Sequence, residues 1–106
     1  MPLYLLEATY SVEGYRGLIK DGGSKRRDVA MEIVARAGGR LLTFHFGLGE
    51  PDVIAIAEFP DAVMAGTLSL AIAASGAATV RVRTLLTPEE IDKTTRRIVP
   101  YAPPGT

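Results

Sequence analysis

Five charged or titratable side chains could support binding or acid–base chemistry. His45 and Glu58 lie in the apolar stretch FHFGLGEPDVIAIAEF, Glu7 lies in LYLLEATY, and Arg81 and Arg83 alternate with valine in ATVRVRTLL. An imidazole titrates near neutral pH and can act as an acid, a base or a heme ligand. Two nearby carboxylates can share acid–base work when burial raises one pKa. The catalytic candidates are therefore His45 and Glu58, and all five residues are candidate ligand-binding residues.

Each candidate also has a structural interpretation. A lone strand histidine such as His45 is more often a structural or interface residue. Glu7 and Glu58 could instead pair with Arg81 and Arg83 across the sheet or across a dimer interface, where an unmatched partner would be costly. This structural pairing is favoured over a catalytic carboxylate pair.

Two further segments have the residue types of a binding site. Asp52 follows a Gly-containing turn, where an aspartate usually bonds local backbone amides. The segment DGGSKRR has glycines, a serine and basic residues ahead of a helix, but it lacks the spacing of a phosphate-binding loop. There is no metal-ligand cluster, nucleophilic triad or dinucleotide fingerprint, so we expect neither a metal nor a cofactor.

The composition is that of an ordinary globular domain. Twelve basic and twelve acidic side chains give a formal net charge of zero, which disfavours nucleic-acid binding and permits self-association. The absence of cysteine fits a reducing compartment, and the cytoplasm is the expected location. Residues 62–80 carry no charge but consist mainly of small residues, so we expect a helix packed on a sheet and no membrane span.

The candidate residues must be positioned by alternating strands and helices. The first half of the chain is predicted to form a strand at 3–10, a helix in two pieces capped by Ser11 and Ser24, and strands at 40–48 and 52–59. A small-residue helix capped by Asp61 follows, and then a strand in ATVRVRTLL. The last predicted element is a helix at 88–98 that begins with a capping box at Thr87 and Glu90. This order predicts an α+β fold: a ferredoxin-like βαββαβ sandwich with a four-stranded antiparallel sheet, an interrupted first helix and an extra C-terminal helix. Residues 1–99 are expected to form one domain and residues 100–106 an extended tail.

The central hairpin determines which side chains share a face of the sheet. A turn centred on Glu50 and Pro51 pairs residues whose numbers sum to about 101. Phenylalanines 44 and 46 and Leu42 would then face the helices, opposite Ala57, Ala55 and Phe59 respectively.

On the other face of this hairpin the same register places His45 opposite Ile56 and Thr43 opposite Glu58, so that His45 and Glu58 become neighbours.

The remaining strands complete an amphipathic face without helices. Arg81 and Arg83 should share this face with Glu7, and apolar side chains lie between them (Leu5, Ile54, Ile56 and Leu85). Such a face is too apolar to remain in water, which predicts a covering partner, most simply a second copy.

The segments MPLYLLEATYSVEGYRGLIK, FGLGEPDVIAIAEFPD and LSLAIAASGA resemble the GYD domain family of small bacterial and archaeal proteins, from Pro2 to about Glu90. That family is named for a glycine, a tyrosine and an aspartate at this hairpin turn. Gly49 and Asp52 match, whereas Pro51 stands where the tyrosine is expected. The resemblance implies a dimeric α/β-barrel protein, in which two sheets pack face to face around a cavity, and it implies no particular activity.

Three functions are compatible with these observations. The first is a homo-oligomeric binding or sensory module that holds a small organic or anionic ligand over Glu7, His45, Glu58, Arg81 and Arg83. The second is a cofactor-free monooxygenase- or isomerase-like enzyme with His45 or Glu58 as the base. The third is a structural or partner-binding domain without chemistry, so whether the protein is an enzyme stays open.

Overall fold

The structure is a computed structural model that describes residues 1–106. Its elements are β1 (Leu3–Tyr10), α1 (Val12–Asp21), α2 (Gly23–Arg36), β2 (Arg40–Phe46), β3 (Val53–Glu58), α3 (Ala62–Ala74), β4 (Ala78–Leu85) and α4 (Pro88–Thr95). The four strands form one antiparallel sheet in the order β2-β3-β1-β4, so β1 and β3 are central. This confirms the predicted α+β, ferredoxin-like fold.

Three helices begin at the predicted side-chain caps. Ser11 Oγ accepts from Gly14 N at 3.2 Å, and Asp61 Oδ1 accepts from Met64 N at 3.0 Å. Thr87 and Glu90 form a reciprocal capping box. Each pair satisfies backbone amides that the first helical turn leaves free.

The start of α2 differs from the prediction. Gly22 is the N-cap, its φ is 82°, and no side chain caps the helix, so Ser24 already lies inside the first turn. Glycine adopts this left-handed conformation at little steric cost, which allows α2 to follow α1 directly.

The core lies between the sheet and the helices. Tyr4 and Leu6 from β1 meet Ala57 and Phe59 of the β3 segment, and the Tyr4 and Phe59 rings pack edge to face with centroids 5.8 Å apart. Val34 of α2 packs against this cluster from the helix side of the sheet. The alternating pattern of β1 and β3 therefore places one set of side chains under the helices and the other set on the opposite face.

The glycine at position 14 has a packing role. It is buried, and a Cβ there would lie 2.1 Å from the carbonyl oxygen of Ala77. Ser11 bonds the same segment, because its N–H donates to Ala77 O at 2.9 Å and its hydroxyl donates to Gly76 O at 2.6 Å. Gly14 costs helix propensity but lets α1 lie directly against the start of β4.

The predicted hairpin register is wrong, although its assignment of faces between 43 and 46 is right. Phe44 pairs with Ala55, and Phe46 pairs with Val53, so the pairing is shifted by two residues from the predicted one. The turn is centred earlier because Asp52 closes it, with Gly47 N donating to Asp52 O at 2.7 Å.

A β-bulge at Leu42 changes the lower half of the hairpin. Leu41 pairs with Ala57 while Thr43 pairs with Ile56, so Leu42 is the extra residue on β2. Leu41 therefore packs against the core, and Leu42, which was expected there opposite Phe59, is 41% exposed. Beyond the bulge Arg40 takes the place opposite Glu58 that Thr43 was expected to hold.

The C-terminal segment extends away from the body. α4 has no buried residue, and residues 96–106 continue without helix or strand. The Cα radius of gyration is 16.7 Å, whereas about 13 Å is typical of a compact chain of this length. Ile98 and Val99 are 89% and 84% exposed. None of the helices has the length and apolar character that crossing a membrane would require.

Candidate functional site

The face of the sheet opposite the helices, which we call the open face, carries all five predicted site residues. Its side chains come from the strand positions that alternate with the core positions. The open-face residues are Leu3, Leu5, Glu7, Thr9, Arg40, Thr43, His45, Ile54, Ile56, Glu58, Thr79, Arg81, Arg83 and Leu85. No helix covers them.

Glu7 and Arg81 form the polar centre of the open face. They are directly paired between β1 and β4, and Ile54 lies opposite Glu7 on its other side. Glu7 is half-buried and Arg81 is exposed. Two side chains opposite each other in an antiparallel pair project on the same side with their Cβ atoms about 5 Å apart, so these two charges are presented together.

A cavity of about 410 Å³ lies at this end of the open face. Its lining consists of Glu7, Thr9, Glu50, Pro51, Thr79 and Arg81. The strands supply the charged pair and two threonine hydroxyls, and the β2–β3 turn supplies the other wall. A shallower cavity of about 260 Å³ adjoins it, and its lining adds Arg83 to Glu7 and Arg81.

The charged groups at this cavity lack partners within the chain. None of the ion pairs involves Glu7, Arg81 or Arg83. The predicted cross-strand ion pairs to these arginines are therefore not formed within one chain. A guanidinium can bind a carboxylate with two parallel hydrogen bonds, and a carboxylate can accept from a hydroxyl or amine. Because Glu50 adds a second carboxylate to this lining, the cavity can hold a polar molecule that carries an anionic group for Arg81 and a hydroxyl or amine donor for Glu7 and Glu50.

His45 and Glu58 lie away from this cavity, and the prediction that they are neighbours is wrong. His45 is exposed on the edge strand β2 opposite Ile54, whereas Glu58 lies near the other end of β3. The bulge at Leu42 gives Glu58 a different partner, Arg40, whose Nη2 is 3.2 Å from Glu58 Oε1. The structure therefore groups Glu7, Arg81 and Arg83 and separates the other two residues from them.

Asp52 organises the turn that walls the cavity. Its side chain is fully buried and accepts from Gly49 N at 2.7 Å, from Tyr10 N at 2.8 Å and from the Tyr15 hydroxyl at 2.8 Å. Its own N–H donates to Ala8 O at 2.8 Å. The predicted turn role is thus confirmed, and the same carboxylate also ties the hairpin to β1 and α1.

This hydrogen bonding has consequences for titration. Burial raises the pKa of Asp52, but the donors from Tyr10, Tyr15 and Gly49 together outweigh it and hold the pKa below its ordinary value of 3.8. The hydrogen bond to Asp52, followed by burial, raises the pKa of Tyr15 above its ordinary value of 10.0. Asp52 is therefore charged and Tyr15 is neutral at physiological pH, and both oxygens of the Asp52 carboxylate accept hydrogen bonds from within the chain.

Sequence reasoning missed four of the cavity residues. Thr9 and Thr79 are directly opposite each other, and the alternation with Glu7 and Arg81 could have identified them. Glu50 and Pro51 could not be found in this way, because their position depends on the conformation of the turn. The Glu50–Pro51 peptide bond is cis.

Comparison with protein families identifies the family to which the chain belongs. A family model for the GYD domain matches residues 4–95, which is most of the chain. The protein belongs to the GYD domain family, and its ferredoxin-like fold agrees with the resemblance found in the sequence. Neither the curated proteins nor the solved structures include a significant match to the chain.

Proposed function

We propose that the protein is a small-molecule-binding protein that holds a small organic anion on its open face. The observation that carries this proposal is that Arg81, which has no ion partner, lines a cavity of about 410 Å³ together with Glu7. Arg81 would bind the anionic group of the ligand. Glu7 would accept from a hydroxyl or amine of the same molecule, and Thr9 and Thr79 would complete its hydrogen bonds.

We further propose that a second copy of the chain covers the open face. The apolar residues next to the cavity, Leu5, Ile54 and Ile56, are half-buried or exposed in the single chain. Covering them would remove apolar surface from water and would also lower the effective dielectric around Arg81 and Glu7. A ligand under such a cover would be bound more tightly than on an open sheet. Both proposals are compatible with a sensory role.

Geometry gives less support to the enzymatic alternative with His45 or Glu58 as a base. Neither residue lines the cavity, and Glu58 is already paired with Arg40. A base must reach its proton within hydrogen-bonding distance. We therefore propose binding as the function.

Native mass spectrometry of protein purified from cells that express it tests this proposal. We expect a dimer that retains a small anionic ligand. Arg81→Gln should lose that ligand or weaken its binding by about tenfold or more, because a charge-assisted hydrogen bond is removed. Glu7→Gln should weaken it less, because an amide oxygen still accepts.

Arg97→Gln is the matched control, since it removes the same charge in the exposed C-terminal segment. It should retain the ligand. If wild type carries no ligand and binds none of a panel of hydroxy and amino carboxylates in calorimetry, a purely structural role replaces the proposal. Equal binding by Arg81→Gln and wild type would move the site away from this cavity.

A further inference from the structure

A second cavity system lies on the other side of the sheet, between helices α2 and α3. α2 packs on the edge strand β2 and α3 packs on the opposite edge strand β4, so the two helices stand apart over the central strands. Two adjoining cavities of about 110 Å³ and 70 Å³ occupy this space. The residues that line both are Ala8, Ala30, Ile33, Phe44, Val53 and Ile72, and we call this space the interhelical slot.

The slot exposes side chains that belong to the core. Ile33, Phe44 and Ile72 pack against the buried cluster yet are only partly buried themselves. Ala8 on the floor and Ala30 on one wall are too small to fill the gap. Apolar surface that an occupant removes from water favours binding in proportion to the area buried. An apolar occupant is therefore favoured, and a polar one would lose its hydration without gaining partners.

One end of the slot is positively charged. The larger cavity has eleven lining residues, of which ten are hydrophobic and the other is Arg26. Arg26 Nη1 is 3.4 Å from Asp21 Oδ2, and Lys25 Nζ is 3.6 Å from the other oxygen of the same carboxylate. Two cations thus share one carboxylate, which leaves a positive charge at the end of an apolar space.

Tyr10 adds a hydrogen-bond donor at the same end, since it also lines the larger cavity. Burial raises the pKa of the Tyr10 hydroxyl, Arg26 lowers it, and the net effect is a raised pKa. The hydroxyl therefore stays protonated at neutral pH and can donate to an anion beside Arg26.

We propose that the interhelical slot binds an aliphatic carboxylate, with its chain between α2 and α3 and its carboxylate at Arg26 and Tyr10. The charge and the apolar lining together select this class over a neutral hydrocarbon and over a small polar anion. A dry cavity of about 150 Å³ can hold a benzene molecule, so the slot suits a chain of roughly six to eight carbons. This site is separate from the open-face cavity, because the sheet lies between them.

Calorimetric titration of the full chain with octanoate, octanol and butyrate tests the charge and the chain together. We expect octanoate to bind more tightly than either of the others. Arg26→Gln should weaken octanoate binding by about tenfold while leaving octanol unchanged, because only the charge-assisted hydrogen bond is lost. The control Arg27→Gln, at the exposed neighbouring position that pairs with Asp28, should bind octanoate as wild type does.

A second variant pair tests the location. Ala30→Leu places three additional carbons in the slot and should weaken octanoate and octanol alike. Ala35→Leu makes the same change on an exposed position of the same helix and should have no effect. Circular dichroism checks that each variant keeps its helix content.

Several results would overturn the proposal. Failure of wild type to bind octanoate rejects it, and so does unchanged octanoate binding in a folded Ala30→Leu variant. Equal affinity for octanoate and octanol would show that Arg26 does not bind the carboxylate, and it would reject a carboxylate as the ligand. If Ala30→Leu instead converts a dimer to a monomer in sedimentation and wild type binds no octanoate, a second copy covers the slot and no aliphatic carboxylate does.

Discussion

Asp52 shows how one residue can determine the geometry of a site without touching a ligand. Its carboxylate is fully buried and accepts from the turn, from β1 and from α1. Pro51 and Glu50, which precede it, wall the open-face cavity. The positions of Glu50 and Pro51 therefore depend on the hydrogen bonds that Asp52 makes.

Replacing Asp52 by Asn should destabilise the protein by about 1–3 kcal/mol, because at least one buried donor loses its acceptor. Urea unfolding followed by circular dichroism measures the change. Asp28→Asn, on an exposed side chain of α2, is the control and should stay within about 0.5 kcal/mol of wild type. A wild-type free energy of unfolding in Asp52→Asn would show that the network adds no stability.

The Asp52 carboxylate also predicts how the free energy of unfolding falls at acid pH. Because the folded-state pKa of Asp52 lies below its ordinary value of 3.8, the unfolded chain binds more protons in that range. Its contribution is fully present above the ordinary pKa and is lost as the pH falls through the folded-state pKa. Unfolding measured between neutral pH and pH 2 should show this loss in wild type and a flatter profile in Asp52→Asn. Parallel profiles would contradict the prediction.

The Tyr15 hydroxyl predicts a corresponding loss of stability at alkaline pH. Its raised pKa means that the bond to Asp52 is present below pH 10.0, the ordinary value, and is lost as the pH rises through the folded-state pKa. Phenolate absorbance should show two tyrosines, Tyr10 and Tyr15, that titrate late, and Tyr15→Phe should remove one of these two late steps. Tyr101→Phe is the control, because Tyr101 is 77% exposed and its loss should leave both late steps in place.

At the scale of elements, the caps of α1 and α4 should have different effects. The cap of α1 should stabilise the whole fold, whereas the cap of α4 should stabilise only its own helix. Ser11→Ala removes a cap of α1 that also bonds the segment before β4, and it should lower the free energy of unfolding by about 1 kcal/mol or more. Thr87→Ala removes the capping box of α4, which buries nothing. Its helix should fray while global stability stays unchanged, since an isolated helix of this length is marginal in water.

Amide exchange and urea unfolding of both variants separate these effects. Loss of protection confined to residues 88–95 in Thr87→Ala is the expected result. A fall in global stability equal to that of Ser11→Ala would mean that α4 is packed in solution, against this chain or another.

Local signals predicted the elements well because each depends on neighbouring residues. Ser11, Asp61 and Thr87 all cap as the sequence indicates. The hairpin register was less accessible, because the turn is closed by Asp52 through contacts with residues distant in sequence. The bulge at Leu42 has no marker in the sequence, and it decides that Glu58 meets Arg40. The placement of Glu7 and Arg81 on the same face followed from strand alternation alone, whereas their direct pairing required the β1–β4 register and the cavity wall required the turn conformation.

At the scale of the whole molecule, the open face predicts association of two chains. Ile54 lies on the central strand β3 of this face and is 41% exposed in the single chain. Ile54→Asp should dissociate the dimer to a monomer in analytical ultracentrifugation while leaving circular dichroism unchanged, because a buried unpaired charge is costly. Leu70→Asp is the control on α3, where Leu70 is 73% exposed on the helix side of the sheet. A monomeric wild type, or a dimer that survives Ile54→Asp, would contradict this.

The bulge at Leu42 also limits how such molecules can assemble. β2 is an edge strand, and an incoming strand would find its backbone donors and acceptors out of step on either side of Leu42. Edge-to-edge growth, which adds one molecule after another and leads to fibrils, is thereby hindered on this side. The contact proposed through the open face would instead use the same surface on both molecules and would be complete with two. An irregularity of a single residue thus acts against strand addition at this edge of the sheet and leaves the open face unobstructed.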